Sequence, residues 1–176
     1  MTIRASGSDN MDSENKFELP YKVMEIDSGD ECLILSFIRF KRHQDSYSIK
    51  RGGVLGDFEV SYKCRGIESR FECELTPGNL CCFYYELENL YDGLPGTKPT
   101  AVLENNTGEA ERTKITFTLN KGRCFISGSV RNKNNDYKSG IIFDIDTDGI
   151  ILSEILTELN NFLDEIIKIQ GHRNFF

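Results

Sequence analysis

Residues 151 to 170 constrain the fold more than any other stretch. Leu152, Ile155, Leu156, Leu159, Phe162, Leu163, Ile166 and Ile169 recur there at steps of three and four. Ser153, Glu154, Glu158, Asn160, Asn161, Asp164, Glu165 and Lys168 fill the other side. A helix with such a stripe takes its stability from burying that face against another element. At about 1.5 Å per residue it is long enough to cross a whole sheet. A strand over 140–145 and an acidic turn, Asp146-Thr147-Asp148-Gly149, lead into it. The helix is therefore expected to close the apolar face of a sheet.

The rest of the chain supplies the sheet. Cys32 to Phe40 is rich in β-formers and reads as a well-buried strand. Leu55 to Cys64 and Ile67 to Leu75 flank Arg65-Gly66, and Phe58, Val60 and Tyr62 alternate opposite Phe71, Cys73 and Leu75, as in an antiparallel hairpin. Thr76-Pro77 sets a hydroxyl cap before a proline that fits the first helical position. Leu80, Phe83, Tyr84, Leu87, Leu90, Tyr91 and Leu94 then give a second helical stripe, ended by Gly93 and Pro95. A short strand is expected over 97–103. Strands over 114–119 and 123–130 are expected to join through a three-residue loop, Asn120-Lys121-Gly122, with glycine at its left-handed position.

Strands thus come in runs, without the helix after each that a parallel sheet needs. The expected class is α+β: a mostly antiparallel curved sheet with two amphipathic helices, about 77–94 and 151–170, packed on one face. No repeat of fixed period is visible. The polar residues 1–16 cannot offset their own ordering entropy and read as a disordered tail. Residues 17–170 form a single domain and 171–176 a flexible end.

At 176 residues such a domain buries about 70% of its extended-chain surface and needs neither metal nor disulfides for stability. Its 28 Asp and Glu against 21 Lys and Arg give a formal charge of −7. That charge disfavours nucleic acid and anionic membranes as general partners and suits a basic protein surface. No signal core and no apolar run of about 18 residues is present, so the expected compartment is the cytoplasm, with the six cysteines as free, mostly buried thiols.

Candidate sites were weighed against plain structural roles. Asp144, Asp146, Asp148 and Gly149 match the opening of a calcium loop, but the twelfth position is Ile155 where a bidentate Glu is needed, and a strand precedes where a helix should. Capping of the last helix by Asp148 or Thr147 is the simpler reading. His43 and His172 belong to no metal-ligand spacing, and a Cys-His nucleophilic pair would have to be assembled in space. Arg39, Lys41, Arg42, His43, Lys50 and Arg51 form a basic stretch beside Phe37 and Phe40 that could grip phosphates and stack bases, against the reading of a solvated loop. Phe83, Tyr84 and Tyr91 coincide with the leucine stripe and read as core.

Four stretches carry a family resemblance: Gly56-Asp57-Phe58; Phe83-x-x-Glu86-Leu87-x-x-Leu90-Tyr91-x-x-Leu94-x-Gly96; Gly122-Arg123-Cys124-Phe125-Ile126-Ser127-Gly128; and Phe143-x-Ile145-x-Thr147-Asp148-x-x-x-Leu152. Their order from Phe58 to Ile169 resembles the WapI-like family of bacterial polymorphic-toxin immunity proteins. The resemblance implies a cytoplasmic antitoxin that binds a cognate toxin domain, often a nuclease, without catalysis or cofactor of its own. It transfers no catalytic residue. From charge and expected exposure, the acidic contacts to a basic toxin are Glu104, Glu109, Glu111, Asp146, Asp148 and Glu154. The alternatives are a nucleic-acid-binding module using residues 39–51, a generic protein-interaction domain, and an enzyme with a spatially assembled Cys-His site.

Overall fold

A computed structural model describes residues 18–40, 56–93, 99–105 and 112–170, with side chains described as far as Ile166. The expected tail, the loop 41–55, both histidines, Glu109, Glu111 and the C-terminal end lie outside those residues.

Four strands, β1 (Tyr21–Asp27), β2 (Glu31–Phe40), β3 (Gly56–Cys64) and β4 (Ile67–Leu75), pair antiparallel in chain order, and helix α1 (Pro77–Asp92) follows. The same sequence of elements then recurs. Strands β5 (Thr100–Asn105), β6 (Thr113–Asn120), β7 (Arg123–Arg131) and β8 (Gly140–Asp148) form a second antiparallel sheet, and helix α2 (Ile151–Gln170) closes the chain. The α+β class, the antiparallel pairing and both helices are as expected. The strands, however, divide between two sheets where one was expected, and the ββββα unit repeats in three dimensions without a repeat in sequence.

The repeat is hidden because the halves put their long connections in different places. Residues 41–55 separate β2 from β3, whereas the corresponding strands β6 and β7 are joined by Lys121-Gly122 alone. Both residues of that turn have positive φ, 51° and 82°, as do Arg65 and Gly66, 48° and 84°, between β3 and β4. These are two-residue turns whose twist suits paired strands, so the connection is one residue shorter than the sequence suggested. A 3-10 turn at Lys133–Asn135 lies between β7 and β8.

Strand β1 was missed in the sequence because a bulge between Lys22 and Met24 buries both Val23 and Met24 and breaks the two-residue period. Helix α1 begins as read. Thr76 Oγ1 accepts from Asn79 N at 3.1 Å, Asn79 Oδ1 accepts from Thr76 N at 2.8 Å, and Gly93 ends the helix in the left-handed region at φ 61°. Its stripe is narrower than expected: Leu80, Phe83, Leu87 and Leu90 are buried, while Tyr84 is half-buried and Tyr91 is exposed. Strand β8 runs on through Asp148, so Thr147 points into the core and caps nothing. Asp148 Oδ1 accepts from Ile150 N at 2.9 Å and turns the chain into α2.

Each helix serves the half it does not belong to. Phe162 of α2 sits among Tyr21, Phe37 and Phe58 of the first sheet, with centroids at 5.5, 5.5 and 6.2 Å. Phe83 of α1 packs at 5.3 Å on Phe117 of the second. Tyr62 and Phe143 stack at 5.7 Å where the sheets meet. Gly128 admits Phe143 above it; a Cβ there would lie 2.6 Å from the Phe143 ring and 2.7 Å from Lys114 O. The two sheets and two helices therefore enclose one continuous core.

Side chains of the helices also close two sheet edges. Glu158 Oε2 accepts from Glu25 N of β1 at 2.9 Å, and Glu86 Oε2 accepts from Val102 N of β5 at 2.8 Å. Asn79 Nδ2 adds a bond of 3.1 Å to Glu104 O. Glu158, which the stripe placed on an idle solvent side, also takes Lys22 Nζ at 2.7 Å. An unpaired edge N–H invites strand addition, and these carboxylates answer it.

Candidate functional site

With the inner faces consumed by the core, the outer faces of the sheets are the surfaces left to act. They differ in chemistry. The outer face of the first sheet is laced with ion pairs: Lys22 with Glu25 at 2.6 Å, Arg70 with Glu68 at 2.8 Å and with Glu59 at 3.7 Å. At its inner end Asp57, 2% exposed, receives Arg39 Nε at 2.9 Å and Lys133 Nζ, and Lys133 also lies 3.5 Å from Glu74. This cluster clamps the 3-10 turn of the second half onto the first sheet. Burial pulls the Lys133 ammonium down, but the hydrogen bond to Asp57 and the charges of Asp57, Glu74 and Glu72 outweigh it and leave it raised above 10.5. Arg39, from the basic stretch singled out in the sequence, is therefore paired with Asp57, and Phe37 and Phe40 meet edge to face with centroids 4.8 Å apart.

The outer face of the second sheet has a different middle. Strand β6 presents Lys114, Thr116, Thr118 and Asn120; strand β7 presents Arg123, Phe125, Ser127, Ser129 and Arg131. Thr118 stands opposite Phe125 and Thr116 opposite Ser127, so the one aromatic ring lies in a field of hydroxyls with cations at both ends. Phe125 is 38% exposed, an unusual setting for a ring that the core could have used. Alternation puts it there: Cys124, Ile126 and Val130 take the inner face, so Phe125 takes the outer. The sequence contained that signal.

Carboxylates on this face are confined to its two edge strands, Glu104 on β5 and Asp144, Asp146 and Asp148 on β8. Arg123 is held by Asp146, with Nε and Nη2 at 3.0 and 2.8 Å from Oδ1. Of the six acidic contacts read from the sequence, Asp146 and Asp148 do lie together, and Glu154 is exposed in the first turn of α2. Glu104 is three strands away, about 14 Å at 4.8 Å per strand, and Glu109 and Glu111 lie outside the described residues. Asp144, Asp146 and Asp148 stand in a row along a strand and do not wrap a loop, which removes the geometry a calcium site needs.

All six cysteines are free. Burial pushes the Cys73 thiol up to about 12 and that of Cys124 up to about 11, so neither is a thiolate at neutral pH. Burial also raises Cys32 and Cys81. Among the described residues no three His, Cys, Asp or Glu side chains could hold a metal ion, and no helix is long and apolar enough to cross a membrane.

No family model matches the sequence, and no curated protein matches it significantly. Solved structures that align with this chain include three at low identity. MRP1/MRP2 of Trypanosoma brucei aligns at 12% identity and a TM-score of 0.40, over 81% of this chain and 78% of that one. The plant transcriptional regulator PBF-2 aligns at 13% and 0.42, over 85% and 87%. WHY1 from Arabidopsis thaliana aligns at 15% and 0.43, over 86% and 94%. Likenesses of this size leave the ligand of the present chain to be argued from its own residues.

Proposed function

We propose that the protein is a nucleic-acid-binding module that holds a single strand along the middle of its second sheet. Phe125 carries the reading: an exposed ring opposite Thr118, in a row with Ser127 and Ser129, with Arg123 two residues before it and Lys114 and Arg131 about 14 and 20 Å further along the strand. A ring accepts any base by stacking, hydroxyls bond to bases and sugars, and cations meet phosphates. The net charge of −7 spoke against nucleic acid only if acid were spread evenly. On this face β6 and β7 carry cations and no carboxylate, so the local balance differs from the total. The nucleic-acid reading is thereby placed on β6 and β7; of the segment 39–51, residues 41–51 lie outside the described residues, and Arg39 holds Asp57 much as Arg123 holds Asp146.

Titration of a labelled single-stranded oligonucleotide tests this. Three phosphate contacts predict a slope of about −2 for log affinity against log salt, at about −0.7 per contact. Phe125→Ala is expected to weaken binding about tenfold, within the range for one stacked base. Arg70→Ala, on the first sheet, is expected to leave binding unchanged. Absence of any complex with DNA or RNA at low salt removes the proposal.

A second reading is the antitoxin implied by the family resemblance, which the row Asp144, Asp146 and Asp148 favours, because a basic toxin domain would meet it. Co-purification with a toxin domain encoded beside this gene supports that reading, and charge reversal at Asp144 should then weaken the complex while leaving oligonucleotide binding intact.

A further inference from the structure

Three of the four sheet edges have partners. Glu158 and Glu86 serve β1 and β5, and at β4 Asn105 Nδ2 donates to Glu74 O beside the Lys133 turn. Strand β8 is the fourth. It pairs only with β7, and among the described residues no group bonds to its outward backbone.

The turn at Lys121-Gly122 fixes which groups those are. In a two-residue hairpin the flanking residues, Asn120 and Arg123, exchange hydrogen bonds, so Arg123, Phe125, Ser127 and Ser129 bond to β6. Cys124, Ile126, Gly128 and Val130 then bond to β8, opposite Thr147, Ile145, Phe143 and Ile141. The N–H and C=O groups of Ile142, Asp144 and Asp146 are left pointing off the edge. Their side chains share the outer face, about 6.8 Å apart in succession, and Ile142 is 86% exposed.

We propose that the β8 edge is a docking site for an extended basic segment of a partner protein, added as an antiparallel ninth strand. The order of side chains defines the segment. Running antiparallel, it places cations opposite Asp146 and Asp144 and an apolar residue opposite Ile142, giving the pattern cation-x-cation-x-apolar. A second copy of this chain is a poor occupant, because two β8 edges would oppose carboxylate rows that repel. The proposal uses the backbone edge of β8, whereas the nucleic-acid reading uses the outer face of β6 and β7; the two touch only at the Arg123–Asp146 pair.

The probe is the acetylated, amidated peptide Thr-Lys-Thr-Lys-Thr-Val-Thr, added to the full chain at low ionic strength and followed by amide hydrogen exchange. Protection is expected to rise at Ile142, Asp144 and Asp146, with little change at Ile141, Phe143 and Ile145, which β7 already protects. N-methylating the two Lys and the Val removes the bonds to the edge and should weaken binding at least about tenfold. N-methylating the intervening Thr residues should change it by less than about twofold, since those amides face away. Asp144→Lys should abolish protection in a chain that still melts cooperatively, whereas Phe125→Ala should leave it unchanged. Equal binding of the two methylated peptides would reduce the site to unspecific charge attraction and overturn the proposal. So would protection at another edge, no binding, or edge protection that appears with protein concentration alone.

Discussion

The first half of the molecule, β1–β4 with α1, and the second, β5–β8 with α2, are built to one plan and finished differently. Inside they are interchangeable: each lends a helix, an aromatic ring and an edge-capping glutamate to the other. Outside they are not. The outer face of the first sheet pairs its charges with one another, while that of the second exposes a ring among hydroxyls and, among the described residues, has one edge without a partner. The scaffold is shared between halves, and the proposed binding surfaces lie on only one of them.

The crossed helices imply that neither half is stable alone. Leu159 in α2 and Leu87 in α1 are both fully buried. A charge at either place has no partner and should cost more than about 4 kcal/mol, enough to unfold an ordinary domain. Leu159→Asp and Leu87→Asp should each abolish the cooperative melt of both sheets. A surviving transition in either variant would show that the halves fold independently.

Lys133 tests the joint between them. Lys133→Met leaves Asp57 buried beside Glu74 without this cation and should cost about 3 kcal/mol, the range for a broken buried pair. The folded ammonium is raised above the 10.5 of the unfolded chain, so its contribution is whole below about pH 10.5 and is lost as pH rises through the folded value. Denaturant midpoints measured between neutral pH and pH 11 should therefore fall less steeply for Lys133→Met than for the parent chain.

The edge carboxylates give the smallest effects and the finest comparison. Glu158→Ala removes a bond to a strand N–H together with the Lys22 pair and should cost about 1–2 kcal/mol; Glu86→Ala, more exposed, should cost about half that. Hydrogen exchange should speed at Glu25 in the first variant and at Val102 in the second. An effect at both amides in one variant would mean that the two edges are coupled through the helices.

Much of this was legible in the residues. The Thr76-Pro77 cap, the stripes of both helices and the alternation of β2, β3, β6 and β7 are local, because a strand or helix with one apolar face shows its period wherever it sits. Strand β1 was not legible, since its bulge puts neighbouring residues on one side. Nor was the role of Glu158, whose partner lies 133 residues away. The phase of β7 sets Phe125 opposite to Cys124 and Ile126, but the sequence marks which residues share a face and not which face meets water. The relative placement of the acidic residues was not legible either: Glu104 and Asp146 are both exposed, but strand order puts them at opposite edges.

By itself the sequence determined the elements, their periods and the α+β class, all properties of short windows in which propensity and hydrophobic phase agree. Only the tertiary structure decided that the strands form two sheets, that each helix crosses to the other half, and that among the described residues nothing bonds to the outer edge of β8. Those outcomes depend on which apolar faces meet across large sequence distances, and many pairings of similar faces satisfy the same local pattern until the chain closes on one of them.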